Sequence, residues 1–265
     1  NHNNLINMDT RSVIASASFG NYDIEAFDFI SFLPFRLENY EIKLELLKSS
    51  MVSYNPLNTL DEIISYITNI KSTCDLSVKK VDLNNLRDWI VDDMKIYHKE
   101  NKYFEVIALN VEIGNREVVK WSQPMIKPIH EGLCAIVSKK INNTLHFVVQ
   151  AKIECGNMDI VELAPTVQVL TGDYRKAKKG KFPFLEVVLE TPKEKIIFNA
   201  LQSEEGGRFY RDQNRYMMVL VDEDFSEDLP KNYIWMTLNQ LQKFLKFNNY
   251  LNIQLRSLIS AISYI

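Results

Sequence analysis

One short run of the chain concentrates groups able to move protons. Residues 146–154 read His-Phe-Val-Val-Gln-Ala-Lys-Ile-Glu. Side chains alternate between the faces of a strand. His146, Gln150, Lys152 and Glu154 therefore share a face, with Val148 among them, opposite Phe147, Val149, Ala151 and Ile153. Such a face is either solvated or the wall of a pocket. In a pocket, a carboxylate beside an ammonium offers a base and a positive charge for a developing anion. A second run, Gln202-Ser203-Glu204-Glu205-Gly206-Gly207, ends a strand in a turn whose paired glycines let backbone approach a ligand closely. Its adjacent glutamates point to different faces, so at most one meets a site. Arg208, Arg211 and Arg215 offer forked donors to phosphate oxygens. Trp121, Tyr174 and Tyr210 suit stacking on a base or sugar, or filling a core. Thr166 and Gln168 share a strand face and suit hydroxyl and base-edge hydrogen bonds.

These groups need a scaffold. Leu60, Ile63, Ile64 and Ile67 lie on one face of a helix predicted over Leu57–Ile70, capped by Asn58 or Thr59. Leu86, Trp89, Ile90 and Met94 suggest a second helix over Leu83–His98. From Tyr103 the period becomes two, and a strand apolar on both faces follows. Further strands are predicted at Gly132–Val137, Thr144–Ile153, Ile160–Leu170, Phe184–Leu189, Lys195–Ala200 and Tyr216–Val221. Asn142-Asn143 reads as a hairpin turn and Gly156-Asn157 as a tight reversal. Helices over Leu238–Phe247 and Leu251–Tyr264 close an α+β chain.

Residues 7–16 match 252–261 at four of ten positions, Arg11 aligning with Arg256 at a spacing of 245 residues. A repeat at that period makes 1–17 the end of a preceding module, 18–100 a mostly helical segment, and 101–265 the module itself. The alternative is an unrelated N-terminal helix.

With 265 residues, 46% of them hydrophobic, the chain can build a sizeable core. A net charge of −3 argues against sequence-independent nucleic-acid binding. The exception is Arg175-Lys176-Ala177-Lys178-Lys179-Gly180-Lys181, either a solvated loop or one facing phosphate. Cys74, Cys134 and Cys155 form no zinc pattern, and an odd count suggests a reducing, cytoplasmic setting. No apolar run approaches the ~18 residues of a membrane helix. No phosphate-binding loop, dinucleotide fingerprint or nucleophile elbow occurs.

Four segments carry a family resemblance: Glu117–Pro124; His146–Asn157 with Leu163–Gln168; Gln202–Tyr210 with Asn214-Arg215; and Trp235–Leu238 with Asn252, Arg256 and Ser257. In order and spacing they resemble the NDP-4-keto-6-deoxyhexose 2,3-dehydratases. The resemblance implies a Nudix-hydrolase-like module, two per chain, in chains that form homodimers. The implied substrate is dTDP-4-keto-6-deoxyglucose or another NDP-4-keto sugar, which loses water across C2–C3 without metal or redox cofactor. The clustered glutamates of metal-dependent Nudix hydrolysis are not found. The resemblance makes Glu154 a base, Lys152 an enolate stabiliser, and His146 and Glu204 further catalytic candidates. It places Trp121, Gln123, Gln150, Asn157, Thr166, Gln168, Tyr174, Gln202, Arg208, Tyr210, Asn214 and Arg215 around the substrate. The chain departs from the family pattern at Cys155, Arg208, Asp212-Gln213 and Tyr216. A module that binds the dTDP-sugar and dimerises without turning it over is the alternative.

Overall fold

The computed structural model describes residues 40–51 and 55–262; the repeat at 1–17 lies outside them. Helices α1 (Tyr40–Ser50) and α2 (Leu60–Thr73) come first. α2 begins at a capping box, in which Thr59 accepts from the Glu62 amide and Glu62 accepts from the Thr59 amide. Ile63 and Ile67 are its buried face. Asn58, the other capping candidate, instead donates to the Trp235 carbonyl at 2.9 Å.

The expected second helix is a hairpin. Strands β1 (Trp89–Val91) and β2 (Lys95–His98) pair antiparallel. The Asp92 side chain turns the chain by accepting from the Met94 and Lys95 amides, both at 2.8 Å. The helical spacing of Leu86, Trp89, Ile90 and Met94 misled, since Met94 is 80% exposed. The β-branched and aromatic content of 89–97 decided the outcome. With β3 (Phe104–Glu112) and β4 (Lys120–Pro128), this hairpin completes a four-stranded antiparallel sheet.

The larger sheet contains β5 (Gly132–Ile141), β6 (Thr144–Ile153), β7 (Val161–Pro165), β8 (Val167–Val169), β9 (Ile196–Ser203), β10 (Gln213–Leu220) and β11 (Tyr233–Thr237). Its order is β11-β6-β5-β10-β9, and only β5 and β10 run parallel. Asn142 and Asn143 both take positive φ in the β5–β6 hairpin, as its sequence suggests. Phe184–Leu189, expected as a strand, is instead a short helix α3 (Leu185–Leu189) entered through Phe184 at φ 63°. Helices α4 (Leu238–Phe244) and α5 (Ile253–Ser260) close the described chain. α+β is therefore the observed class.

Two apolar layers sandwich the large sheet. One packs Phe147, Met236, Cys134 and Met218 under α1, α2, α4 and α5. The other packs Leu133, Val137, Val148 and Trp235 against Tyr174, Leu185 and Val188. β6 is consequently buried on both faces along its first half.

Past Val137 and Val148 the paired strands β5 and β6 separate. From there β6 pairs with β7 and β5 pairs with β8. Thr166 is the single residue between β7 and β8. Its hydroxyl donates to the Val148 carbonyl and accepts from the Val137 amide at 2.9 Å. Thr166 is 1% exposed, so the hydroxyl satisfies two buried backbone groups at the fork. A Thr166→Val variant keeps the shape and removes both bonds. Unfolding in urea should show a loss of about 2–4 kcal/mol, since each buried group left unpaired costs roughly 1–3 kcal/mol; a loss below about 0.5 kcal/mol would show the fork does not need the hydroxyl.

Candidate functional site

The register of β9 and β10 builds one polar floor. Gln202 faces Asn214 and Ala200 faces Tyr216 across the ladder. Glu204 lies opposite Asp212, its amide donating to the Asp212 carbonyl at 3.0 Å. Period two puts Gln202, Glu204, Asp212, Asn214 and Tyr216 on the same face. Asn214 and Tyr216 donate to the Glu204 carboxylate at 2.8 and 3.3 Å. On β5, Cys134 sits beside Tyr216 and Gly132 beside Asn214. The Asn214 side chain accepts from the Gly132 amide at 2.9 Å. A Cβ at 132 would fall 2.1 Å from that same oxygen, so only glycine fits there.

The fork brings β6 and β8 to this floor. Gln168 pairs with Cys134 across the β5–β8 ladder. The Gln168 amide nitrogen reaches Glu154 at 3.5 Å, and Lys152 reaches the Gln168 carbonyl at 3.5 Å. Lys152 and Glu154 pair with each other at 3.4 Å, their side chains 22% and 39% exposed. Asn252, the N-cap of α5, donates to Gln168 at 2.7 Å while accepting from the Leu255 amide. The closing motif thus orients Gln168, which in turn meets Glu154.

Electrostatics tie these groups together. Burial pushes the Cys134 thiol up, with Glu204, Lys152 and Glu154 all within reach of it. Burial, Cys134 and Glu204 hold the proton on Tyr216. Burial first, then Glu204, raises Asp212 above the ordinary carboxyl range. Glu162, opposite Lys152 on β7, is raised by burial against the pull of Arg256.

Other expected site residues lie elsewhere. His146 is 0% exposed and packed into the fold. Its Nε2 accepts from the Leu57 amide at 3.0 Å and its Nδ1 faces the Thr144 carbonyl at 2.9 Å, so both ring nitrogens are committed to backbone. Thr166 is the fork residue. Asn157 closes a turn, bonding the Ile160 carbonyl at 3.3 Å. Tyr174 and Arg215 belong to the opposite face of the sheet, where Tyr174, Arg175 and Arg215 all donate to Glu131. Burial opposes ionisation of Glu131, but these three donors hold it below its ordinary value. Gln150 lies between Tyr233 and Ala164 on the half-buried part of β6.

A third group gathers where the small sheet meets the large one. Ile126 pairs with Phe209, and Gln123 donates to the Gly207 carbonyl at 2.8 Å. Trp121 donates to Gln123 at 2.6 Å. With Arg116, Glu117 and Val118 they line a groove of about 660 Å³. Arg208 is exposed and paired with Glu205, and Tyr210 lies under Arg211. Sequence reasoning did not single out Asp212, Cys134, Gly132, Asn252 or Glu131. The reversal at Gly206-Gly207 was the available signal for Asp212, since pairing across it sets Asp212 against Glu204.

The family model of the NDP-hexose 2,3-dehydratases matches residues 60–262. The chain belongs to that family. Two curated relatives are dTDP-4-dehydro-6-deoxy-alpha-D-glucopyranose 2,3-dehydratases. The one from Saccharopolyspora spinosa is 36% identical over 260 residues, covering 98% of this chain and 52% of the relative. The one from Streptomyces violaceoruber is 36% identical over 209 residues, covering 78% and 47%. The chain thus spans about half the length of the curated relatives it matches. Among solved structures, an ADP compounds hydrolase aligns with TM-score 0.38 at 12% identity, covering 70% of this chain and 93% of that one. A Nudix hydrolase from M. smegmatis aligns with TM-score 0.30 at 12% identity, covering 57% and 90%.

In this member of the dehydratase family, Asp212 and Tyr216 both stand on the floor beside Glu204. Among the described residues, no helix is long and apolar enough to cross a membrane.

The burial of His146 has a measurable consequence. Desolvation lowers its pKa below the ordinary 6.5, against a smaller opposing effect of the Thr144 carbonyl. The unfolded chain then binds the proton more readily, so stability is full above about pH 6.5 and falls as the pH drops through the lowered value. The urea midpoint should therefore fall as the pH is lowered past about 6.5. His146→Gln, which cannot titrate, should lose that share of the decline; an unchanged pH profile would show that His146 titrates as in the unfolded chain.

Proposed function

We propose that this module eliminates water across C2–C3 of a dTDP-linked 4-keto-6-deoxyhexose, giving a 3,4-diketo-2,6-dideoxy sugar. One observation carries the reading. In a chain of this family, Lys152 and Glu154 meet Gln168 across the fork, and Cys134 lies within electrostatic reach of both and of Glu204. The relatives' names supply the sugar, and the floor supplies the groups the reaction demands.

The C4 carbonyl acidifies the proton on C3, and Glu154 takes it. The negative charge then passes from the Glu154 carboxylate to the C4 oxygen. Lys152 already lies 3.4 Å from Glu154, so its ammonium follows that charge without a long movement. The enolate expels the C2 hydroxyl, and Glu204, held by Asn214 and Tyr216, orients that hydroxyl. The resulting enol tautomerises, C3 becoming a ketone and C2 taking a proton. Gln168, fixed by Asn252, orients Glu154. Homodimers in a cytoplasmic setting complete the reading, the latter supported by the three unpaired cysteines.

The test is mass spectrometry of dTDP-4-keto-6-deoxyglucose incubated with the protein in D₂O. The expected product has lost one water and carries solvent deuterium at C2, while recovered substrate carries deuterium at C3. Glu154→Gln should abolish C3 exchange, and Lys152→Met should slow it by about 10²–10⁴. Binding without change of mass would leave the module a sugar-nucleotide-binding role and overturn the catalytic reading.

A further inference from the structure

Opposite Glu204 stands a second carboxyl group that the scheme above leaves unused. Asp212 shares the floor face with Glu204, the two being joined by the bond from the Glu204 amide to the Asp212 carbonyl. Their surroundings differ. Glu204 accepts from Asn214 at 2.8 Å and Tyr216 at 3.3 Å. The Oδ1 of Asp212 is shielded from water and has no hydrogen-bond partner in the structure. A buried oxygen in that condition is costly as part of a carboxylate and much less so as part of a neutral acid. The neighbouring negative charge acts the same way, since two like charges at close quarters do not both ionise readily. Burial and Glu204 accordingly raise Asp212, while the Gln213 amide opposes them. A buried carboxyl without a partner, set beside a second one that accepts two hydrogen bonds, is placed as a proton donor.

We propose that Asp212 is the general acid of this site, delivering the proton that leaves with the C2 hydroxyl. This rests on the dehydratase reading and assigns the donor that reading lacks. The protons balance. Glu154 removes the C3 proton, and the C–H electron pair forms the enolate. That pair returns to make the C2=C3 bond as the C4 carbonyl reforms, and the C2–O pair departs on the hydroxyl oxygen. The Asp212 proton joins that oxygen and water leaves. On tautomerisation the enol O–H proton returns to Asp212, and Glu154 gives its proton to C2. Glu204 exchanges no proton in this scheme and holds the departing hydroxyl toward Asp212.

The experiment separates the two halves of the reaction in the whole chain. Asp212→Asn is nearly isosteric and should keep the thermal midpoint of the parent. With dTDP-4-keto-6-deoxyglucose in D₂O, it should still exchange the C3 proton at near the parent's rate, while water loss falls about 10²–10⁴. Water loss at the parent rate would overturn the assignment and leave the dehydratase reading standing. Loss of exchange and elimination together would also overturn it, giving Asp212 a structural role. If the parent itself neither exchanges nor eliminates, the dehydratase reading falls instead. A second measurement needs no turnover. The infrared difference between parent and Asp212→Asn at about pH 7 should show the carbonyl stretch of a protonated acid, and a carboxylate band in its place would overturn the proposal.

Discussion

A forked sheet faces a problem that an unbroken one does not. Where β5 and β6 part, one backbone donor and one backbone acceptor are left in a dry interior, and the hydroxyl of Thr166 takes both. A hydroxyl can do this because it donates and accepts at once; no apolar side chain of its size can. The geometry of the site follows from that bond pair. With Thr166 fixed, β8 runs along β5 and sets Gln168 beside Cys134, while β7 runs along β6. Lys152, whose backbone pairs with Glu162 on β7, and Glu154, just past the end of β6, then reach Gln168 across the gap.

The floor on the other side of β5 obeys a second packing condition. Where β10 runs parallel to β5, Gly132 leaves room for the Asn214 side chain, which folds back onto the Gly132 amide. Asn214 thus spends its oxygen on backbone and its nitrogen on Glu204. One side chain couples the spacing of two strands to the position of a carboxylate. Asn252 repeats the device at α5, where its oxygen caps the helix and its nitrogen holds Gln168.

Much of this was legible in the residues. The capping box at Thr59, the Asn142-Asn143 turn, the alternation along β3 and the closing helices all follow local rules, and the structure follows them. The hairpin at 89–98 was not legible, because four apolar residues at helical spacing outweighed the β-branched and aromatic content around them. His146 shows a different limit. Alternation correctly placed it on the face of Lys152 and Glu154, but parity says nothing about what covers a face. The segment before α2 covers β6 at His146 and leaves it open at Glu154. Asp212 was missed because its meaning comes only from its cross-strand partner.

The arginines make the last point about charge. Three of them promised a cationic clamp, yet Arg208 is matched by Glu205, Arg211 lies over the Tyr210 ring, and Arg215 joins Arg175 at Glu131 on the far face. Adjacent residues on β10 serve opposite layers: Asn214 the floor, Arg215 the other side. The floor is left with Lys152 as a cation against Glu154, Glu204 and Asp212. Were all three carboxyls ionised, the floor would repel the diphosphate of a sugar nucleotide as strongly as it repels itself. A neutral Asp212 removes one of those charges in the free protein, where burial already favours it. On the proposed reading, an approaching diphosphate pushes the same equilibrium further toward the protonated form, so the charge of the sugar nucleotide would help hold the proton that its hydroxyl needs in order to leave.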